Sequence, residues 1–414
     1  MQNRTGKFIQ RYSSAITMGL TALVIAGTAD LFAGLLLDQM EDYLLTIAGM
    51  MILIYSAIGM RGNIFGAMGS RIGTAMNIGT FEMSLKRGTV LRANFDSAIA
   101  LTLVMSVAMG VTTWAVALVF FGGKADVWDL VFISTVGGFL AGLIVLGFNI
   151  LIAYAGSKRG WDVDNISAPL IAAIGDIVTM PMIFLSTWVF FKMDELSFGD
   201  ELVMFLSAAI VILTAVDVAV LLVRKTSKRN FSGEAKRIFK QSLPVLMVCL
   251  VFEIGAGIVI QDEQESLIAY SVLMIMLPAF LNQGNALSGM LTSRLSSAIH
   301  LGTLRAKWSP RGASNDFLMI YICAMITFLY IGIISYGACI LFNGSSNISF
   351  VDSLAIIMVA GFLATTILSL LSYYVAIAAT KFGLDPDDHS IPITSSVMDL
   401  LGSMVLVGVI ALFI

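Results

Sequence analysis

The chain has 414 residues, 58% of them hydrophobic and only 12% charged, with 24 Lys and Arg against 27 Asp and Glu. Soluble domains carry roughly a quarter charged residues, so this composition excludes large soluble domains and points to an integral membrane protein. A net charge of −3 argues against a nucleic-acid partner, while three cysteines in apolar runs and two histidines support no disulfide framework, zinc site or imidazole chemistry.

A run of about 20 apolar residues crosses a hydrocarbon core about 30 Å thick. In chain order, such runs cover 13–37, 43–68, 95–121, 128–156, 167–191 and 201–223, then 241–261, 266–291, 316–342, 352–380 and 391–413. The expected fold is all-α, with about eleven transmembrane helices. Placing Arg4, Lys7 and Arg11 in the cytoplasm puts 22 of the 24 basic residues on that side and leaves Lys124 and Lys192 outside. The outer loops then carry Asp38, Glu41, Asp42, Asp194, Glu195, Asp200 and Glu201. The expected topology is a cytoplasmic N-terminus and an external C-terminus, with the plasma membrane as the expected location. The first apolar run is too long, and too poor in cleavage signals, for a removable signal peptide.

The sequence repeats itself at an offset of 223: GAMGSRIGTAMNIGT at 66–80 lies over GMLTSRLSSAIHLGT at 289–303. One extra residue in the second copy aligns Gly62 and Asn63 with Gly284 and Asn285. The same offset of 223 places Pro169 and Asp176 over Pro392 and Asp399, and Asp30 and Gly34 over Glu253 and Gly257. This predicts a cytoplasmic N-terminus at 1–12, a five-helix unit at 13–191, a linking helix and basic linker at 192–236, and a second five-helix unit at 237–414. Five crossings per copy would invert the second copy. The unrepeated helix at 201–223 adds one crossing and makes the repeats parallel. A pathway between the halves is the expectation, since repeat-built transporters place their sites there.

Five acids fall inside apolar runs: Asp30, Asp176, Asp217, Glu253 and Asp399. A carboxylate at membrane depth must face protein, water or a cation. With no intramembrane Lys or Arg expected as a partner, a bound cation or a protonated form is left. Asp176 and Asp399 each lie seven residues after a proline, which suits the first helical turn, and so roughly 10 Å from that end. Two such carboxylates match a divalent cation, and hard cations select oxygen ligands. Hydrogen bonding between helices is the alternative.

Asp30 and Glu253 are candidates for an outer or coupling-ion site, or else protonated structural acids; Asp217 is expected to be structural. Asp162, Asp164, Asp385, Asp387 and Asp388 precede the helices of Asp176 and Asp399, as a cation vestibule or as helix caps. The amides of Asn63 and Asn285 can offer oxygen to a hydrated ion, with Gly62 and Gly284 allowing close backbone approach. Close helix packing explains Gly66, Gly69 and Gly73 equally well.

The paired motifs RGNIFGAMGSRIGTAMNIG with DVDNISAPLIAAIGD, and QGNALSGMLTSRLSSAIHLG with DPDDHSIPITSSVMD, resemble those of the MgtE magnesium transporter superfamily. The arrangement is most similar to its solute carrier family 41 branch, in which two MgtE-type units are fused. The resemblance implies transport of Mg2+ or a broader set of divalent cations, with Asp176 and Asp399 at the ion pathway and the Gly-Asn motif at Gly62, Asn63, Gly284 and Asn285. It implies no cofactor, Mg2+ being the cargo, and a single chain acting as a pseudo-dimer, with a homodimer as the other arrangement. About a dozen residues precede the first span, so gating by cytosolic acidic and CBS domains is not expected to carry over.

Three classes compete. A divalent-cation channel or carrier comes first, with an exchanger coupled through Asp30 and Glu253 as a variant. A secondary transporter of an organic solute predicts an aromatic pocket, whereas the repeated polar residues are acids and small residues. A membrane enzyme or scaffold is opposed by the lack of a repeated nucleophile constellation.

Overall fold

A computed structural model describes residues 2–122, 126–159, 163–223, 234–300, 304–305, 308–382 and 391–414. Among these, the regular structure is helical, as a lipid-embedded chain requires: only within a helix or a closed barrel does each backbone N–H and C=O find a partner away from water. Thirteen α-helices are seen among the described residues. They are α1 (Gln2–Asp38), α2 (Glu41–Thr46), α3 (Met50–Asn77), α4 (Val90–Phe121), α5 (Val127–Arg159), α6 (Val163–Asp194) and α7 (Gly199–Val223). After these come α8 (Glu234–Asp262), α9 (Gln264–Ala269), α10 (Ser271–His300), α11 (Ser314–Asn343), α12 (Phe350–Phe382) and α13 (Ile391–Phe413).

All eleven expected spans correspond to long helices, and the protein is all-α and integral to the membrane. Among the described residues, ten helices are long and apolar enough to cross. The eleventh, α10, carries Asn282, Gln283 and Asn285 near its middle, and these polar residues dilute its apolar run. The six-residue helices α2 and α9 recur at the repeat offset, as do the bounds of α5 and α12. Matched arginines tie the ends of α3 and α10 to the next helix. Arg71 Nε donates to Asn94 Oδ1 at 2.8 Å, and Arg294 Nη2 pairs with Asp316 Oδ1 at 3.0 Å.

The chain forms two compact units, one of Met1–Asp38 with Asp262–Ile414 and the other of Gln39–Gln261. These units do not follow the sequence repeats: the first helix of each repeat folds with the remaining helices of the other. In the first unit α1 crosses α10 at Gly34, where an added Cβ would lie 2.9 Å from Ile275 Cα. In the second, α8 crosses α3 at Gly257, where an added Cβ would lie 2.7 Å from Ile52 Cα. Gly257 and Ile275 stand at the repeat offset from Gly34 and Ile52, so one docking contact is used twice. Glycine is required because only a residue without Cβ lets the helix backbones come this close. The outer faces of α4, α7 and α8 expose Val119, Phe120, Phe205, Leu213 and Val251, as helices facing hydrocarbon should.

Candidate functional site

In the first unit, α10 and α13 bring Asn285 and Asp399 together. Asp399 is 7% exposed, and Asn285 Nδ2 donates to its Oδ1 at 2.8 Å. One turn of α10 earlier, Asn282 Nδ2 donates to Oδ2 of Asp30, which is fully buried on α1, at 2.8 Å. Gln283 Nε2 donates to the Leu23 carbonyl at 2.6 Å. The amides of α10 thus meet one acid from α1 and one from α13. At Gly284 an added Cβ would lie 3.9 Å from Met398 Cε, an ordinary van der Waals contact with the residue before Asp399.

In the second unit the partners differ. Asn63 Nδ2 makes a long 3.5 Å contact with Oε1 of Glu253, which is buried on α8. The Glu253 carboxylate lies against Gly59, where an added Cβ would collide with it. Gly59 stands at the repeat offset from Asn282, so the short Asp30 meets an amide while the longer Glu253 fills the space above a glycine. Asp176 is buried on α6, and Gly62 has no described atom within 4 Å of its added Cβ.

Asp164 lies in the first turn of α6, but its side chain lies outside the described residues, and Asp387 does so entirely. The matched prolines do not mark matched helix starts. Pro392 is the second residue of α13, whereas α6 opens at Val163, six residues before Pro169.

One expectation is overturned: an intramembrane basic residue exists. Arg61 lies within the apolar span Met50–Met76 of α3 and is 1% exposed, so it belongs to the core and not to the cytoplasmic side of the charge count. Its signal was present in the repeat, since Arg61 aligns with Gln283 immediately before each Gly-Asn pair. Asn282 and Gly59, the neighbours of the two first-helix acids, were also missed, because a substitution between repeat copies hides a shared position.

Among the described residues, no three His, Cys, Asp or Glu side chains cluster as a chelating metal centre. In the first unit, Asp399 with the Asn285 amide beside it presents carboxylate oxygen, the ligand type that hard divalent cations select.

The family model of MgtE, described as a divalent cation transporter, matches residues 54–186 and 277–409. Solute carrier family 41 member 3 of Mus musculus is 23% identical over 412 residues, covering 92% of this chain and 79% of that protein. Solute carrier family 41 member 2 is 22% identical in Mus musculus, over 97% of this chain and 71% of that protein. The Homo sapiens member 2 is 23% identical, over 94% and 68%. A solved inward-facing multidrug resistance MATE family transporter of the MOP superfamily aligns over 94% of this chain and 93% of that one, at 12% identity and a TM-score of 0.31, from which no shared fold follows.

Proposed function

Because the chain belongs to the MgtE family of divalent cation transporters, we propose that it carries Mg2+ across the membrane, with Asp176 and Asp399 as the acids that meet the ion. Membership makes it a membrane transporter and not an enzyme. The observation that carries the ion-site reading is the buried Asp399 carboxylate, which accepts from Asn285 Nδ2 of the Gly-Asn motif at 2.8 Å. The amide occupies one carboxylate oxygen and orients the group. Such an acid attracts a hydrated divalent ion without stripping its shell, which Mg2+ gives up reluctantly. Asp176 is the acid matched to Asp399 at the repeat offset of 223.

Asn63 and Asn285 orient acids and, with Gly62 and Gly284, border the ion's path. Asp30 and Glu253 fix the polar stretches of α10 and α3, each held within hydrogen-bonding reach of an amide of its own unit. We infer a cytoplasmic N-terminus in the plasma membrane, with one chain supplying both units. The test is Mg2+ flux into proteoliposomes holding the full chain. Asp399→Asn and Asp176→Asn should each reduce flux while the protein remains folded, and wild-type flux in both would sink the ion-site reading.

A further inference from the structure

We propose that Arg61 is a tethered cation that makes the two units unequal, weakening divalent-cation binding at Asp176 and leaving Asp399 as the tighter site. This rests on the reading of Asp176 and Asp399 as ion-binding acids. In the register of the Gly-Asn pairs, one residue short of the offset of 223, Arg61 matches Gln283, and both are 1% exposed, so one unit holds a fixed positive charge where the other holds a neutral amide.

The guanidinium is lodged by design of its neighbours. On α5, an added Cβ at Gly138 would lie 2.6 Å from Arg61 Nη2, and one at Gly142 would lie 3.4 Å from Nη1. Ser106 of α4 completes the niche, its Cβ 3.2 Å from the same Gly138 position. Arg61 Nε and Nη2 and Ser106 Oγ have no hydrogen-bond partner among the described residues. The matched place in the other unit is apolar. Gly361, at the repeat offset from Gly138, lies against the ring of Phe328, whose centroid is 5.2 Å from that of Phe280. Glycine and serine make room for a cation in one unit, and an aromatic ring fills the equivalent room in the other.

The helix that carries the charge also packs against the helix of the candidate acid. An added Cβ at Gly175, the residue before Asp176, would lie 3.8 Å from Arg61 Cβ, so α3 and α6 touch at this level. A buried charge without a paired acid keeps its field in a medium of low dielectric constant. A divalent ion arriving at Asp176 meets that field with twice the unit charge. At Asp399 the matched Gln283 exerts no such repulsion.

The test is Mg2+ calorimetry on the full chain in nanodiscs, one unit at a time. Asp399→Asn leaves the Asp176 unit, and Asp176→Asn leaves the Asp399 unit. The Asp399→Asn protein should bind Mg2+ about tenfold or more weakly than the Asp176→Asn protein. Adding Arg61→Gln to Asp399→Asn should recover about tenfold, whereas Arg61→Lys, which keeps the charge, should leave affinity within about twofold. If Arg61→Gln does not fold, Arg61→Met removes the charge at similar length and should give the same recovery. No recovery on removing the charge, or an equal gain with Arg61→Lys, overturns the role of Arg61 while leaving the acids in place. Unchanged binding in both single Asp→Asn proteins removes the acid sites themselves, and this assignment with them.

Discussion

At the scale of single residues, burial separates acids that look alike in sequence. Asp399 and Asp30 are both buried on the same unit and both accept from amides of α10, three residues apart at Asn285 and Asn282. They differ in surroundings: Asp399 joins α13 to the Gly-Asn motif of α10, while Asp30 belongs to the α1–α10 contact. Asp399→Asn is therefore expected to lower Mg2+ flux by about tenfold or more, equivalent to about 1.4 kcal/mol or more of lost ion stabilisation. Its melting temperature without Mg2+ should hold or rise, because an amide is less costly to bury than a carboxylate. Asp30→Asn combined with Glu253→Gln should leave the response to an imposed sodium or proton gradient unchanged. Loss of gradient dependence, measured by tracer uptake, would instead make these acids a coupling-ion site. The acids were legible in the sequence because they recur at one offset, and the Gly-Asn pairs because they recur one residue short of it. Arg61 was not, since a basic residue beside a Gly-Asn pair reads as the cytoplasmic end of a span until its burial is known.

At the scale of helices, glycine does two kinds of work, and the structure tells them apart. Gly34 and Gly257 are closed positions, where an added methyl meets the backbone of Ile275 or Ile52. Backbone cannot swing aside as a side chain does, so Gly34→Ala should destabilise by about 1–3 kcal/mol through displacement of α1 from α10. A lowered midpoint in thermal unfolding in detergent checks this. Gly62 is an open position with no described atom within 4 Å. There Ala has better helix propensity than Gly by about 1 kcal/mol, so Gly62→Ala should match or exceed wild-type stability. Reduced Mg2+ flux in that stable protein would mark the face as part of the ion's path, and unchanged flux would exclude it. Sequence alone does not separate the two classes, because composition carries no record of what lies opposite a glycine.

At the scale of the whole molecule, the charge distribution makes a prediction that the helices themselves leave open. The basic residues gather in alternate loops, so a cysteine at Met83 should be labelled from the cytoplasm and one at Ser197 from outside. Cys249, Cys323 and Cys339 are fully buried, which keeps the background low. Labelling of both introduced cysteines from the same side, or with the sides exchanged, would overturn the topology. The number and length of the spans, the membrane class and the paired motifs were all determined by the sequence, since a hydrocarbon core of fixed thickness selects apolar runs of fixed length. The offset of 223 likewise exposed a twofold plan without any coordinates. Only the tertiary structure decided which copy receives each first helix. Gly34 and Gly257 are matched, and so are the Ile52 and Ile275 positions against which they dock, so the local pattern fits either pairing equally. The choice is made by the sum of contacts along whole helices, including Asp30 with Asn282 and Glu253 above Gly59, and such complementarity exists only once the helices are packed.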